Sequence, residues 1–238
     1  MTERTGDQIY HEDGIVPDGA LSADERLIRL VTNRVLEEFQ RQSAPHESPK
    51  LVPVGISARH CHLTQEALDV LYGPGSELHP YRPLRQPGNY AAKEMITIIG
   101  PRMRAIENVR VLGPLRNYCQ VELSRTDGFA LGIELPPRDS GYHESTPGIT
   151  LVGPRGTVTL DHGVIRAGRH IHMPPHIAEA WGIRDRQIVS AEFEGEKGVV
   201  FHNVLVRVAK GLVPELHLDT DDANAADLEN GDMLRIIV

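Results

Sequence analysis

The sequence predicts a mainly β fold: two small β-barrel domains with short capping helices, related by an internal repeat and preceded by an N-terminal amphipathic helix. Three observations predict it. The 238 residues include 22 Gly and 17 Pro but only 5% aromatics, which favours many short elements joined by turns over a helical bundle. Apolar pairs run into Gly-Pro at Ile98-Ile99-Gly100-Pro101, Val111-Leu112-Gly113-Pro114 and Leu151-Val152-Gly153-Pro154, as strand ends entering tight turns do. Finally, Arg59-His60-Cys61-His62-Leu63 returns as Arg169-His170-Ile171-His172-Met173, 110 residues on, so one unit occurs twice.

Residues 1–20 are polar with scattered Gly and Pro and predict a disordered tail. A helix is expected over 21–42. Ser22 and Glu25 have capping-box spacing, and Leu27, Leu30, Val31, Val35 and Phe39 recur on one face. Such a helix either docks on its own domain or serves as a detachable address for a partner. The linker-like stretch 43–50 leaves the second reading open. The first barrel is expected over 51–165 and the second over 166–238, with strand 51–58 a candidate to pair in the second. Helical signal after residue 51 is confined to the neighbourhoods of Thr64–Leu71, Pro175–Trp181 and Ala223–Leu228. Asn108-Val109 and Val111 match Asn203-Val204 and Val206 at a shift of 95, which carries Glu122 onto His217 and Asp127 onto Asp222. The difference of 15 residues, 110 − 95, predicts an insertion in the first copy, within Gly73–Asn89.

Charge and cysteine usage narrow the function. With 25 Lys+Arg against 33 Asp+Glu the net charge is −8, which counts against a nucleic-acid binder. Two cysteines, Cys61 and Cys119, make no disulfide framework. The first residues lack the basic start and apolar core of a signal peptide, and no apolar run reaches the roughly 18 residues of a membrane span. The expectation is an intracellular protein with no membrane partner.

The repeat points to metal chemistry. Side chains alternate along a strand, so both histidines of R-H-x-H face one way while Cys61 and Ile171 face the other. A lone pair of this kind is more often a surface or hydrogen-bonded pair. Two of them, each with a matched third donor in Glu122 or His217, make two sets of three ligands: His60, His62, Glu122 and His170, His172, His217. Three ligands leave coordination positions open, as catalytic sites do. Zinc is the default ion, and cobalt, manganese or iron accept similar donors. Arg110 and Arg116 bracket the Gly113-Pro114 turn just before Glu122. Arg116, in a turn close to an expected ligand, suits an anionic substrate.

These residues resemble the PduL-type phosphotransacylases, or phosphate propanoyltransferases. The matching stretches are V-G-I-S-A-R-H-C-H-L (54–63), Q-P-G-N-Y-A-A-K-E (86–94), V-R-V-L-G-P-L-R (109–116), Q-V-E-L-S-R-T-D (120–127), R-H-I-H-M (169–173) and H-L-D-T-D-D-A-N-A (217–225). The resemblance implies two β-barrels, a two-zinc site between them and the reaction acyl-CoA + phosphate ⇌ acyl phosphate + CoA. It implies that His60, His62 and Glu122 hold the zinc that receives the CoA sulfur, and that His170, His172 and His217 hold a more hydrated one. Arg116 matches the phosphate-binding arginine; Ser57, Arg110 and Asn224 match further polar positions of the active site, and Phe129 and Ser140 match contacts to CoA. Asn89-Tyr90 stands where the family more often has Gln-Phe. Family members tend to self-associate, and many carry an amphipathic helix that directs them into bacterial microcompartments. Residues 22–42 resemble that helix, so partners in the shell or lumen, and a lumenal or cytoplasmic location, are expected.

The implied mechanism is direct attack of phosphate on the thioester, with propanoyl-CoA or acetyl-CoA as donor and no covalent acyl-enzyme on Cys61 or Cys119. Two other readings use the same ligands: a two-metal thioester or phosphate hydrolase, and a non-catalytic metal-binding module.

Overall fold

The structure, a computed structural model, describes residues 22–42 and 49–238; the expected tail 1–20 and most of the expected linker, 43–48, lie outside them. The chain divides into two units at Ser48/Pro49. The first contains α1 (Ala23–Gln42), which begins directly after Ser22. Leu27, Leu30, Val31 and Val35 of its apolar row are exposed, as are Ile28 and Leu36. No helix among the described residues is long and apolar enough to cross a membrane.

Strands dominate from Leu51 onward. β1 (Leu51–Ser57) is followed by β2 (His60–His62), α2 (Gln65–Tyr72), β3 (Pro80–Pro83), β4 (Tyr90–Ile99), β5 (Ala105–Gly113), β6 (Gln120–Glu122), α3 (Arg125–Leu131), β7 (Pro137–Arg138), β8 (Ile149–Val152), β9 (Thr157–Leu160) and β10 (Val164–Ala167). The second R-H-x-H forms β11 (His170–Met173), then come α4 (Pro175–Ala180), β12 (Ile188–Phe193), β13 (Val199–Val208), β14 (Glu215–Asp219), α5 (Thr220–Ala226) and β15 (Met233–Ile237). The three Gly-Pro turns end β4, β5 and β8, as predicted, and β3 lies inside the predicted insertion.

Two sheets result. The order β1-β14-β11-β13-β12-β15 closes into a six-stranded barrel. The first copy has the same order, β10-β6-β2-β5-β4-β8, but stays open, with β7 beyond β10, β9 beyond β8 and β3 beside β4. The difference lies at the seam. In the barrel β1 meets β15 in a ladder from Leu51↔Arg235 to Pro53↔Met233. In the first sheet β8 already pairs with β4 and β9, so it has no edge left for β10. A bond from Val164 N–H to Pro147 O, 3.1 Å, bridges the seam instead. The two expected barrels are thus one closed barrel and one open sheet with barrel order.

Each strand that precedes an R-H-x-H belongs to the other copy's sheet. β1 runs parallel to β14, with Gly55 opposite His217, and β10 runs parallel to β6, with Ile165 opposite Glu122. Gly55 and Ile165 are 110 residues apart, the histidine shift. The barrel therefore holds β1 and β11–β15, the sheet holds β2–β10, and the expected boundary at 165/166 falls within β10. The repeat also reaches the backbone. Asn108 and Asn203 both have φ 59°, and both lie where the β4–β5 and β12–β13 registers shift. Such bulges call for a residue that tolerates the left-handed region, as Asn does.

α3 is a helix the sequence reading missed, because Thr126 and Gly128 are weak helix formers. Local bonds hold it. Ser124 Oγ accepts from Asp127 N–H and Asp127 Oδ2 accepts from Ser124 N–H, both at 3.2 Å, a complete capping box. Gly128 backs onto the Ile133 carbonyl, which would stand 2.8 Å from an added Cβ. Each sheet has its own core: Leu63, Leu68, Leu71, Ile98, Leu131 and Leu151 in the first, and Ile171, Met173, Leu216, Leu218 and Leu234 in the barrel.

Candidate active site

β2 and β6 are antiparallel neighbours with His60 opposite Glu122, and β11 and β14 repeat this with His170 opposite His217. His62 and His172 share the face of their partners two residues before. Two groups result, His60–His62–Glu122 and His170–His172–His217, and within each the candidate ligand atoms lie within 4.8 Å of one another. Cys61 and Ile171, between the histidines, are fully buried in the two cores. Burial, then the nearby Cys119, raises the Cys61 thiol pKa, so it stays protonated.

The two groups are scaffolded alike. His60 Nδ1–H donates to Ala58 O and His170 Nδ1–H to Gly168 O, both at 2.8 Å, which aims each Nε2 away from the backbone. Arg59 pairs with Asp127 and Arg169 with Asp222, again both at 2.8 Å. These arginines pin their loops to the start of α3 and α5; they are not spare charges for a substrate.

Electrostatics favours the neutral ring at His62, His170 and His172. Burial, with His60 and Arg116 adding to it, pushes the His62 pKa down to about 3. Burial, with His217 and Arg207, pushes His172 down to about 4, and burial with Arg207 and His217 holds His170 well below the usual range. Burial also opposes charge on His60, but the Glu122 carboxylate, 3.5 Å from its Nε2, outweighs it and raises the pKa. Glu122 is itself held well below the carboxylate range: burial works the other way, but His60, His62 and His170 together prevail. Unprotonated imidazoles and an ionised carboxylate are what a cation requires. Among the described residues, the buried side-chain nitrogens without a hydrogen-bond partner are Nδ1 of His62 and Nδ1 of His172, one per group. The residues fit divalent ions of the zinc class.

Arg116 stands beside the first group, close enough for its charge to bear on His60 and His62. Its N–H donates to Leu63 O at 2.9 Å, and its guanidinium donates to Tyr118 Oη at 2.9 Å and Ser140 Oγ at 3.1 Å. A family model described as phosphate propanoyltransferase matches residues 53–229, the stretch that holds both groups and Arg116. The chain belongs to the phosphate propanoyltransferase family. It is accordingly a transferase. Curated relatives of that name include proteins from Thermotoga maritima, 54% identical over 185 residues (77% of this chain, 88% of the relative), and Rhodopseudomonas palustris, 50% identical over 188 residues (79% and 83%). Another, from Salmonella typhimurium, is 41% identical over 208 residues (87% and 94%).

The remaining expected residues of this transferase are spread more widely. Ser140 lies at the first group, 3.5 Å from Glu122 Oε1. Ser57 ends β1 opposite Asp219. Arg110 is opposite His60 on β5, but its guanidinium donates to the carbonyls of Ala92 and Lys93, at 2.9 and 3.3 Å, and lies over the Tyr81 ring. Phe129 on α3 and Asn224 on α5 occupy the same place in the two copies, 95 residues apart. Both are exposed. Among the described residues neither side chain is hydrogen-bonded to a ligand group.

Sequence reasoning missed several neighbours. Arg207 lies opposite His172 on β13, held by Asp139 at 3.5 Å; its repeat counterpart is Leu112, so nothing in the pattern marks it. Gln120 and Glu215 obey the 95-residue shift and stand two residues before Glu122 and His217, a signal that was available. His143, outside the histidine repeat, reaches the site through Gln120.

Proposed function

We propose that this transferase interconverts acyl-CoA plus phosphate and acyl phosphate plus CoA at the paired groups, with propanoyl-CoA or acetyl-CoA as the acyl donor. The supporting observation is the placement of Arg116, a guanidinium fixed by Ser140 and Tyr118 beside His60 and His62. His60, His62 and Glu122 would hold one zinc ion and His170, His172 and His217 a second; zinc bound there supplies charge stabilisation for a developing oxyanion and for a departing thiolate.

The chain's own part is positioning. The planar fork of Arg116 orients phosphate through paired hydrogen bonds, so that one phosphate oxygen faces the thioester carbonyl and a bimolecular encounter becomes unimolecular. That oxygen bonds to the carbonyl carbon, the C–S bond breaks, and its electron pair leaves on the CoA sulfur. Cys61 takes no part, being buried on the opposite face of β2 with a raised pKa. The test is CoA release with and without phosphate, across acetyl-, propanoyl- and longer acyl-CoA. Strict phosphate dependence is expected. Release without phosphate would make the protein a hydrolase, and no turnover by metal-loaded protein would leave only a binding module.

α1, with Leu27, Leu30, Val31 and Val35 in one apolar row, suits an address helix directing the enzyme to a microcompartment lumen; a helix that belongs to the body would leave the enzyme in the cytoplasm. Deleting residues 1–46 should leave turnover intact and abolish co-sedimentation with shells; loss of folding would assign the helix to the body instead.

A further inference from the structure

Gln120 and Glu215 are 95 residues apart, the shift that relates Glu122 to His217, and each shares the strand face of the ligand two residues on. Both are buried, at 0% and 8% exposure. Gln120 Nε2 donates to Glu122 Oε1 at 2.6 Å and to Ser140 Oγ at 2.9 Å. Its Oε1 accepts from Gly141 N–H at 2.7 Å and from His143 Nε2–H at 2.9 Å. The amide thus uses all four of its hydrogen-bonding positions. A backbone N–H can only donate, so the amide cannot be turned round, and its NH2 must face Glu122. Ser140 accepts in turn from Arg116, which ties the carboxylate of the first group to the arginine.

In the second copy the polarity is reversed. Glu215 Oε2 accepts from His217 Nε2–H at 2.9 Å and from Gln86 Nε2 at 2.9 Å. Gln86 is itself anchored on Val213, donating to its carbonyl at 3.0 Å and accepting from its N–H at 3.3 Å. Space for Glu215 comes from Gly55 on β1, where a Cβ would stand 2.6 Å from Glu215 Oε1.

We propose that Gln120 and Glu215 are the positioning residues of the two cation groups, matched to their ligands by opposite hydrogen-bond sense. A donor amide holds the acceptor ligand Glu122, and an acceptor carboxylate holds the donor ring of His217, leaving Nδ1 of that ring for the cation. Each group therefore carries one carboxylate, in direct reach of the cation in the first and one hydrogen bond removed in the second. Partners of this kind orient metal ligands and tune their basicity. The proposal rests on the reading of both groups as cation sites.

Zn2+ affinity, measured by chelator competition on the metal-stripped full chain, tests it, with melting of the metal-free variants as the control for folding. Gln120→Met and Glu215→Met keep side-chain length but remove the donor or the acceptor. Each is expected to weaken one of two bound Zn2+ by about 10- to 100-fold and leave the other unchanged. Glu215→Gln, which keeps an acceptor oxygen, should weaken it less. Glu215→Met should cost nothing further in a His217→Ala background, nor Gln120→Met in a Glu122→Ala background. If both Met variants hold both ions as the parent does, the two residues are packing only and the proposal fails. A parent chain that binds fewer than two Zn2+ would instead overturn the reading of the groups, and the proposal with it.

Discussion

His62 and His172 hold the same position in the two copies, and burial keeps both unprotonated near neutral pH. Arg116 differs from them in having no counterpart role in the second copy, where position 211 is Gly. The proposed function therefore separates these residues by two assays. His172→Ala should lose bound metal and turnover together. Arg116→Ala should keep its metal by elemental analysis yet lose turnover by about 100-fold or more. An Arg116 variant with an unchanged KM for phosphate and unchanged kcat would remove the phosphate site. Titration gives a further expectation. The unfolded chain takes up protons on His62 and His172 near pH 6.5, while the folded chain refuses them until about pH 3 and 4. The folded state thus binds fewer protons in this window, and the stability of metal-free protein should fall as pH falls from about 6.5 toward 4. Urea midpoints at pH 7 and 4.5 check this; a His172→Asn variant should show a shallower decline.

At the scale of elements, the repeated R-H-x-H shows how little chain a candidate ligand pair needs. Three or four strand residues, an arginine pinned to an aspartate and one histidine-to-carbonyl bond reproduce the same arrangement twice. The strand partners are shaped by Asn108 and Asn203, each at φ 59°. Asn108→Gly should be tolerated, whereas Asn108→Val should cost about 1–2 kcal/mol in chemical denaturation, since a β-branched side chain is disfavoured there. Equal stability of the Val variant would mean that the bulge relaxes. These elements were largely legible: Gly-Pro marks strand ends because proline cannot continue a ladder. α3 was not, since its stability comes from a capping box and from packing, which outweigh the poor propensities of Thr126 and Gly128.

At the scale of the whole molecule, the exchange of β1 and β10 makes the copies interdependent. Cutting the chain at Gly163 would leave the first fragment without β10 and the second without β1. Neither 49–162 nor 163–238 should fold alone, while co-expression should restore a soluble complex, as read by circular dichroism and co-purification. Independent folding of the second fragment would show that the barrel closes without its parallel strand β1.

The sequence by itself determined which residues form the two groups that could hold a cation. Ligand chemistry needs particular residue types at a strand spacing of two, and the shifts of 110 and 95 preserve that spacing in both copies. It also determined the many short strands, through Gly and Pro. Only the tertiary structure decided that one copy closes and the other stays open, because closure depends on whether β8 or β15 has an edge free for its partner. Only the tertiary structure brought Arg207, His143 and Gln86 to the site. Their side chains arrive from strands and loops distant in sequence, where contact is set by packing and leaves no periodic trace.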